Sequence, residues 1–184
     1  EANRHSERFY RQEIAQAQQA LASRLDEVRV VIVSGPSSSG KTTTTIKLSE
    51  ELSKEGKRFV PINVDNYFFD LETHPRDPSG DYDFETPQAL DMDLLNQHLS
   101  ALLRGQSVDI PFYNFKTGRR EGVSQTLSLG PEDIVLIDSL HGFFEQMTES
   151  VPDEKKFKVY IETLAQVKDD NGRFIRWTDV RMLR

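Results

Sequence analysis

The 184-residue chain is 36% hydrophobic and 29% charged, without repeats or low-complexity tracts, which is the composition of one folded domain and excludes a disordered segment. Its formal net charge of −7 argues against a broad nucleic-acid or anionic-membrane surface, because such surfaces need clustered Lys and Arg. With no cysteine there are no disulfides, thiolate zinc sites or cysteine nucleophile, and no apolar run approaches the ~20 residues of a membrane span.

In chain order, Phe9, Ile14, Ala17, Leu21 and Leu25 recur at helical spacing and predict an amphipathic helix within residues 1–27. Val28 to Val33 is a nearly continuous β-branched run, the pattern of a strand buried on both faces of a parallel sheet. Lys41 to Lys54 predicts a helix closed by Gly56, and Arg58 to Val64 a second strand. Residues 70–83, with Pro75, Pro78 and Gly80, form a polar loop. Thr86-Pro87 predicts a helix start, followed by a leucine stripe up to Gly105.

Val108 to Phe115 and Thr126 to Leu129 predict short strands about a turn at Gly118, a hairpin projecting from the main sheet. Ile134 to Ile137 and Phe157 to Ile161 are further buried strands, 169–172 is a turn, and Thr178 caps a last helix. Alternating strands and helices predict an α/β, doubly wound, mainly parallel sheet with a small β-hairpin insertion. The chain opens on Glu1 and closes on Arg184 within a helical pattern, so a piece of a longer protein is expected, with residues 28–184 as its main domain.

Gly35-Pro36-Ser37-Ser38-Ser39-Gly40-Lys41-Thr42 fits the eight-position phosphate-loop pattern, and it stands where that pattern has meaning, between a buried strand and a helix. Backbone N–H groups and the helix N-terminus then face phosphate oxygens. Lys41 neutralises the β and γ oxygens, and the Thr42 hydroxyl ligates Mg²⁺, with Thr43 extending the loop. The fold is therefore expected to be a P-loop NTPase binding ATP and Mg²⁺. Asp138 ends the Ile134–Ile137 run and is the candidate second magnesium acid; capping of the next segment is the alternative. Asp65 ends the second strand and is the candidate catalytic base, with a magnesium-shell or turn role as the alternatives.

Five segments in order then resemble the uridine kinase and phosphoribulokinase family: Gly35–Thr43, Val64–Phe68, Asp83–Asp91, Ile110–Phe115 and Ile137–Gly142, within residues 28 to 162. The resemblance implies a small-molecule kinase that moves the γ-phosphate of ATP to a hydroxyl of a nucleoside or related sugar-containing compound. It implies Asp65 as the base, Phe84 and Glu85 near the ribose, and Tyr113 as a pocket wall. It also implies an arginine-rich lid beyond Arg184, and the expected location is cytoplasmic. The sequence departs from the uridine kinase pattern at Gly118, where a base-reading His is usual, at Asp138-Ser139 for Glu-Gly, and at Glu85 for Asp. The acceptor is thus open, as are ATP against GTP and a homo-oligomeric state.

Tyr67 with Phe68 and Phe69 could stack on a base or sit in the core, and Arg119 and Arg120 could clamp phosphate or remain solvated. His141 is left outside the catalytic set. A regulatory P-loop module that slowly hydrolyses nucleotide without a small-molecule acceptor is the rival reading; the aromatic and acidic residues between 70 and 115 favour an acceptor pocket.

Overall fold

A computed structural model describes residues 2–36, 41–161, 167–168 and 174–175, with side chains from residue 11 onward except residue 13 and the last two pairs. Helix α1 spans Ala2–Ala22, strand β1 Val30–Ser34, helix α2 Lys41–Lys54 and strand β2 Arg58–Ile62. Helix α3 spans Met92–Leu103, strands β3 and β4 Val108–Asn114 and Arg119–Leu127, β5 Asp133–Ser139 and β6 Lys156–Tyr160. The expected turn at 169–172 and helix from Thr178 lie outside the described residues.

Among the described residues the main sheet has the order β2-β5-β1-β6, every neighbour parallel. The β-branched residues of β1 divide by pleat, as the period of two requires. Val31 and Val33 face Leu21, Leu25, Leu48 and Leu52 of the α1–α2 side, while Val30 and Ile32 face Leu95, Leu99 and Leu102 of α3. All five residues of β1 are buried, so the continuous hydrophobic run reflects helices on both faces. The doubly wound expectation holds. A separate antiparallel pair joins β7, Val167–Lys168, to β8, Phe174–Ile175.

Three boundaries differ from the sequence expectation. Helix α1 stops at Ala22, not near Glu27. Thr86-Pro87 opens only a short 3-10 turn, because Leu90 is extended and bridges to Phe68; α3 starts after Asp91, whose carboxylate accepts from Leu94 N–H at 3.0 Å. Strand β4 begins at Arg119, seven residues before the expected strand. Its side chains are mostly exposed, so no apolar alternation marked it.

Candidate active site

Parallel strands carry their ligands beyond their carboxyl ends, and here the ends of β1, β5 and β2 lie side by side. The register pairs Val33 of β1 with Asp138 of β5, and Ile62 of β2 with Ile137. Asp138 therefore stands next to the strand that feeds the phosphate loop. Just beyond Ile62, a 3-10 turn over Val64–Tyr67 holds Asp65, whose N–H donates to Asn63 Oδ1 at 3.0 Å.

Of the phosphate loop, Gly35, Pro36 and Lys41–Thr43 are described, and Ser37, Ser38, Ser39 and Gly40 lie outside the described residues. Lys41 Nζ donates to the carbonyls of Gly35 and Pro36, each at 2.9 Å, and so joins the two described ends of the loop. Helix α2 opens with no acid in its first turn, and Thr42 and Thr43 are exposed there. A positive helix end with an ammonium and two hydroxyls, and no acid in its own first turn, is chemically matched to an anion.

The carboxyl of Asp65 is held above the usual range, by burial first and by the Asp138 charge second. Burial also raises Asp138, against the pull of the Lys41 ammonium. The chain of influence from Lys41 to Asp138 to Asp65 brings the three together electrostatically. Both acids reach the surface, yet the surrounding protein disfavours their charged forms. The hard oxygen donors of Thr42 and Asp138 suit Mg²⁺, which takes one or two protein ligands plus phosphate oxygens and water. Among the described residues, no group of three or more His, Asp or Glu side chains could hold a metal ion.

The segment after β5 packs hard onto β1. Ser34 Oγ donates to the Leu140 carbonyl at 3.1 Å, and a Cβ on Gly142 would stand 2.5 Å from Ile32 Cγ2. Only a glycine lets this segment lie down beside the loop mouth.

Next to Asp65 stands a cluster of rings. Phe68 lies 5.3 Å from Phe84 and 5.5 Å from Tyr113, and Tyr113 lies 5.0 Å from Phe115. Asn66 ties the cluster to the 3-10 turn, its Oδ1 accepting from Tyr113 N–H at 3.2 Å. Phe84 and Tyr113 are thus brought into one ring cluster, whereas Tyr67 is fully buried, its hydroxyl sharing a 2.9 Å hydrogen bond with His98 Nδ1. Of its two sequence readings, the structure places Tyr67 in the core.

Glu85 is exposed, its N–H donating to Asp83 Oδ1 at 2.8 Å. Arg119 pairs with Glu72 at 2.7 Å on the surface. Arg120 places both terminal nitrogens 3.0 Å from Asp91 Oδ2, half-buried beside Phe69. Both arginines hold carboxylates, so each ties the hairpin to a neighbouring segment. Sequence reasoning missed Asn66, Gly142 and the Arg120–Asp91 pair; a polar residue beside Asp65 and a glycine after the Asp138 strand were the visible signals.

The model of the phosphoribulokinase / uridine kinase family matches residues 30–176. The chain belongs to that family. Among curated relatives, a uridine kinase of Chloroflexus aurantiacus is 33% identical over 147 residues, covering 80% of this chain and 65% of the relative. Uridine-cytidine kinase B of Dictyostelium discoideum is 30% identical over 134 residues, covering 73% and 52%. The chain therefore spans about two thirds or less of the length of these family members. A solved structure of a possible uridine kinase from Bacillus stearothermophilus superposes with a TM-score of 0.58 at 21% identity, covering 94% of this chain and 90% of that one. That likeness supports the P-loop kinase fold of the family. No described helix is long and apolar enough to cross a membrane.

Proposed function

We propose that this chain is the phosphate-transferring part of an ATP-dependent small-molecule kinase whose acceptor is a hydroxyl of a nucleoside, uridine-like, or of a related sugar-containing compound. One observation carries the reading: two carboxylates from neighbouring strand ends, with Lys41 within electrostatic reach, at the carboxyl edge of a parallel sheet. Family membership and the uridine kinases among the relatives support it.

In this reading the loop from Gly35 to Thr43 binds the triphosphate, and Lys41 moves from the Gly35 and Pro36 carbonyls onto phosphate oxygens. Thr42 and Asp138 are the residues that would hold Mg²⁺, which would supply charge neutralisation at the phosphates. Asp65 accepts the proton of the acceptor hydroxyl and aims its oxygen at the γ-phosphorus. Burial, and after it the Asp138 charge, raise its pKa and make its carboxylate a stronger base than an ordinary aspartate. Phe84 and Tyr113 flank the acceptor beside that base. Phosphoryl transfer of this kind is mostly positioning and electrostatics, which the described residues supply.

The aromatic cluster tied to Asp65 through Asn66 favours an acceptor pocket over a module that only hydrolyses nucleotide. The test is full-length protein with labelled ATP and a panel of nucleosides and sugars. A phosphorylated nucleoside or sugar that disappears with Lys41→Ala is the expected result. Steady ATP hydrolysis with no labelled acceptor would overturn the reading in favour of the hydrolytic module.

A further inference from the structure

Within the aromatic cluster lie two buried polar atoms that no described residue satisfies, His74 Nδ1 and the Tyr113 hydroxyl. His74 is 5% exposed and Tyr113 2%. The tautomer of His74 follows from its other nitrogen. Nε2 lies 2.7 Å from the Phe69 carbonyl, which can only accept, so Nε2 carries a proton and Nδ1 is the nitrogen left open, an acceptor in that tautomer. The two rings are nearly parallel, at 18° with centroids 6.3 Å apart, so both unsatisfied atoms are carried by neighbouring rings of one aromatic cluster.

The polar loop 70–83 places His74 there because it is pinned to the hairpin turn. Leu71 N–H donates to the Gly118 carbonyl at 2.7 Å, and Arg120 N–H donates to Asp70 Oδ1 at 2.9 Å. Leu71 occupies the space a side chain at 118 would need, since a Cβ on Gly118 would meet Leu71 Cβ at 2.8 Å. Leaving polar atoms unpaired in an apolar setting is costly, and a pair of them marks a place where a ligand supplies the partner. The nearest rings over them are Phe84, 4.9 Å from His74, and Phe115, 5.0 Å from Tyr113. These two face solvent, 37% and 62% exposed, so reaching the polar atoms displaces only surface rings, which rotate in picoseconds to nanoseconds.

We propose that His74 determines acceptor specificity: its Nδ1 accepts a hydrogen bond from an N–H on the edge of a planar heteroaromatic ring held among Phe68, Phe84 and Phe115, while the Tyr113 hydroxyl pairs with the adjacent polar atom of that ring. The proposal rests on the nucleoside reading above. An aromatic cluster that carries one open acceptor and one open hydroxyl on neighbouring rings suits the edge of a pyrimidine base, which offers both a donor and an acceptor. A sugar without a base would leave both atoms unpaired.

The experiment compares the full-length parent with His74→Phe, which keeps a ring in the cluster and removes the acceptor, on uridine, 3-methyluridine, cytidine and N4,N4-dimethylcytidine. The parent should lose about tenfold or more in kcat/KM on methylation of the ring donor, the effect of one buried hydrogen bond. His74→Phe should raise the KM for the unmethylated nucleoside by a similar factor, leave the KM for ATP in place, and no longer distinguish the methylated probe. A structural role alone would lower activity on both probes equally. Parent activity on uridine or cytidine with equal methyl discrimination in His74→Phe overturns the assignment of His74 and leaves the nucleoside reading standing. A parent that phosphorylates sugars and neither nucleoside overturns both.

Discussion

Gly142→Ala tests whether the segment after Asp138 is clamped to β1 as tightly as the geometry implies. The added methyl would sit 2.5 Å from Ile32 Cγ2 and 3.0 Å from Ser34 Cβ, where carbon atoms prefer roughly 3.5–4.0 Å. Ile32 is fully buried in the centre of the sheet, with Ile137 and Lys158 on either side, and cannot retreat. The segment must lift instead. Overpacking of this kind costs about 1–3 kcal/mol, and lifting also loses the Ser34 Oγ to Leu140 hydrogen bond, about 1 kcal/mol. The expected destabilisation is about 2–4 kcal/mol, or a fall in Tm of roughly 5–15 °C for a domain of this size. Urea unfolding of the parent, Gly142→Ala, Ile32→Ala and the double variant checks the cause. Ile32→Ala should cost less in the Gly142→Ala background than alone, because it removes the clash. A Gly142→Ala protein as stable as the parent, or strict additivity in the cycle, would refute the packing argument.

Since both Asp65 and Asp138 are raised, the folded state binds protons more tightly than the unfolded one. Stability should therefore fall as pH rises from the unfolded carboxylate range through the folded pKa values. Without nucleotide, Asp65→Asn should raise Tm at pH 7, and the gain should vanish below about pH 4; thermal melts across that window check it, and an Asp65→Asn protein that melts lower at pH 7 contradicts it. Asn96 joins α3 to residues 146–150 through its donors to Met92 and Gln146 carbonyls and its Oδ1 to Ser150 N–H. Asn96→Leu should cost about 1–3 kcal/mol by removing these part-buried hydrogen bonds, with urea unfolding as the measure.

Much of the fold could be read in advance because strong local patterns coincided with burial. The β-branched run of β1 and the acid-terminated run of β5 are inner strands, so their composition alone marked them, and the phosphate-loop spacing between strand and helix fixed their shared edge. Strand β4 could not be read, since its register comes from β3 and the turn at Gly118, not from a buried face. The start of α3 was misplaced because Thr86-Pro87 imitates a helix cap while the Phe68–Leu90 bridge holds the chain extended beyond it. His74 was invisible for another reason: a lone histidine in a polar loop gains meaning only once Leu71 docks on Gly118 and brings the imidazole against Tyr113. Arg120 and Asp91 lie 29 residues apart, a pairing no local spacing announces.

The central claim is that Asp65 acts on the acceptor while the phosphate loop holds the nucleotide independently. Single-turnover transfer from labelled ATP by the full-length Asp65→Asn variant, with Mg-ATP affinity measured on the same sample, tests it most directly. The account predicts unchanged affinity to within a few-fold and a loss of transfer of about 10²-fold or more. Transfer at the parent's rate in that variant would contradict it.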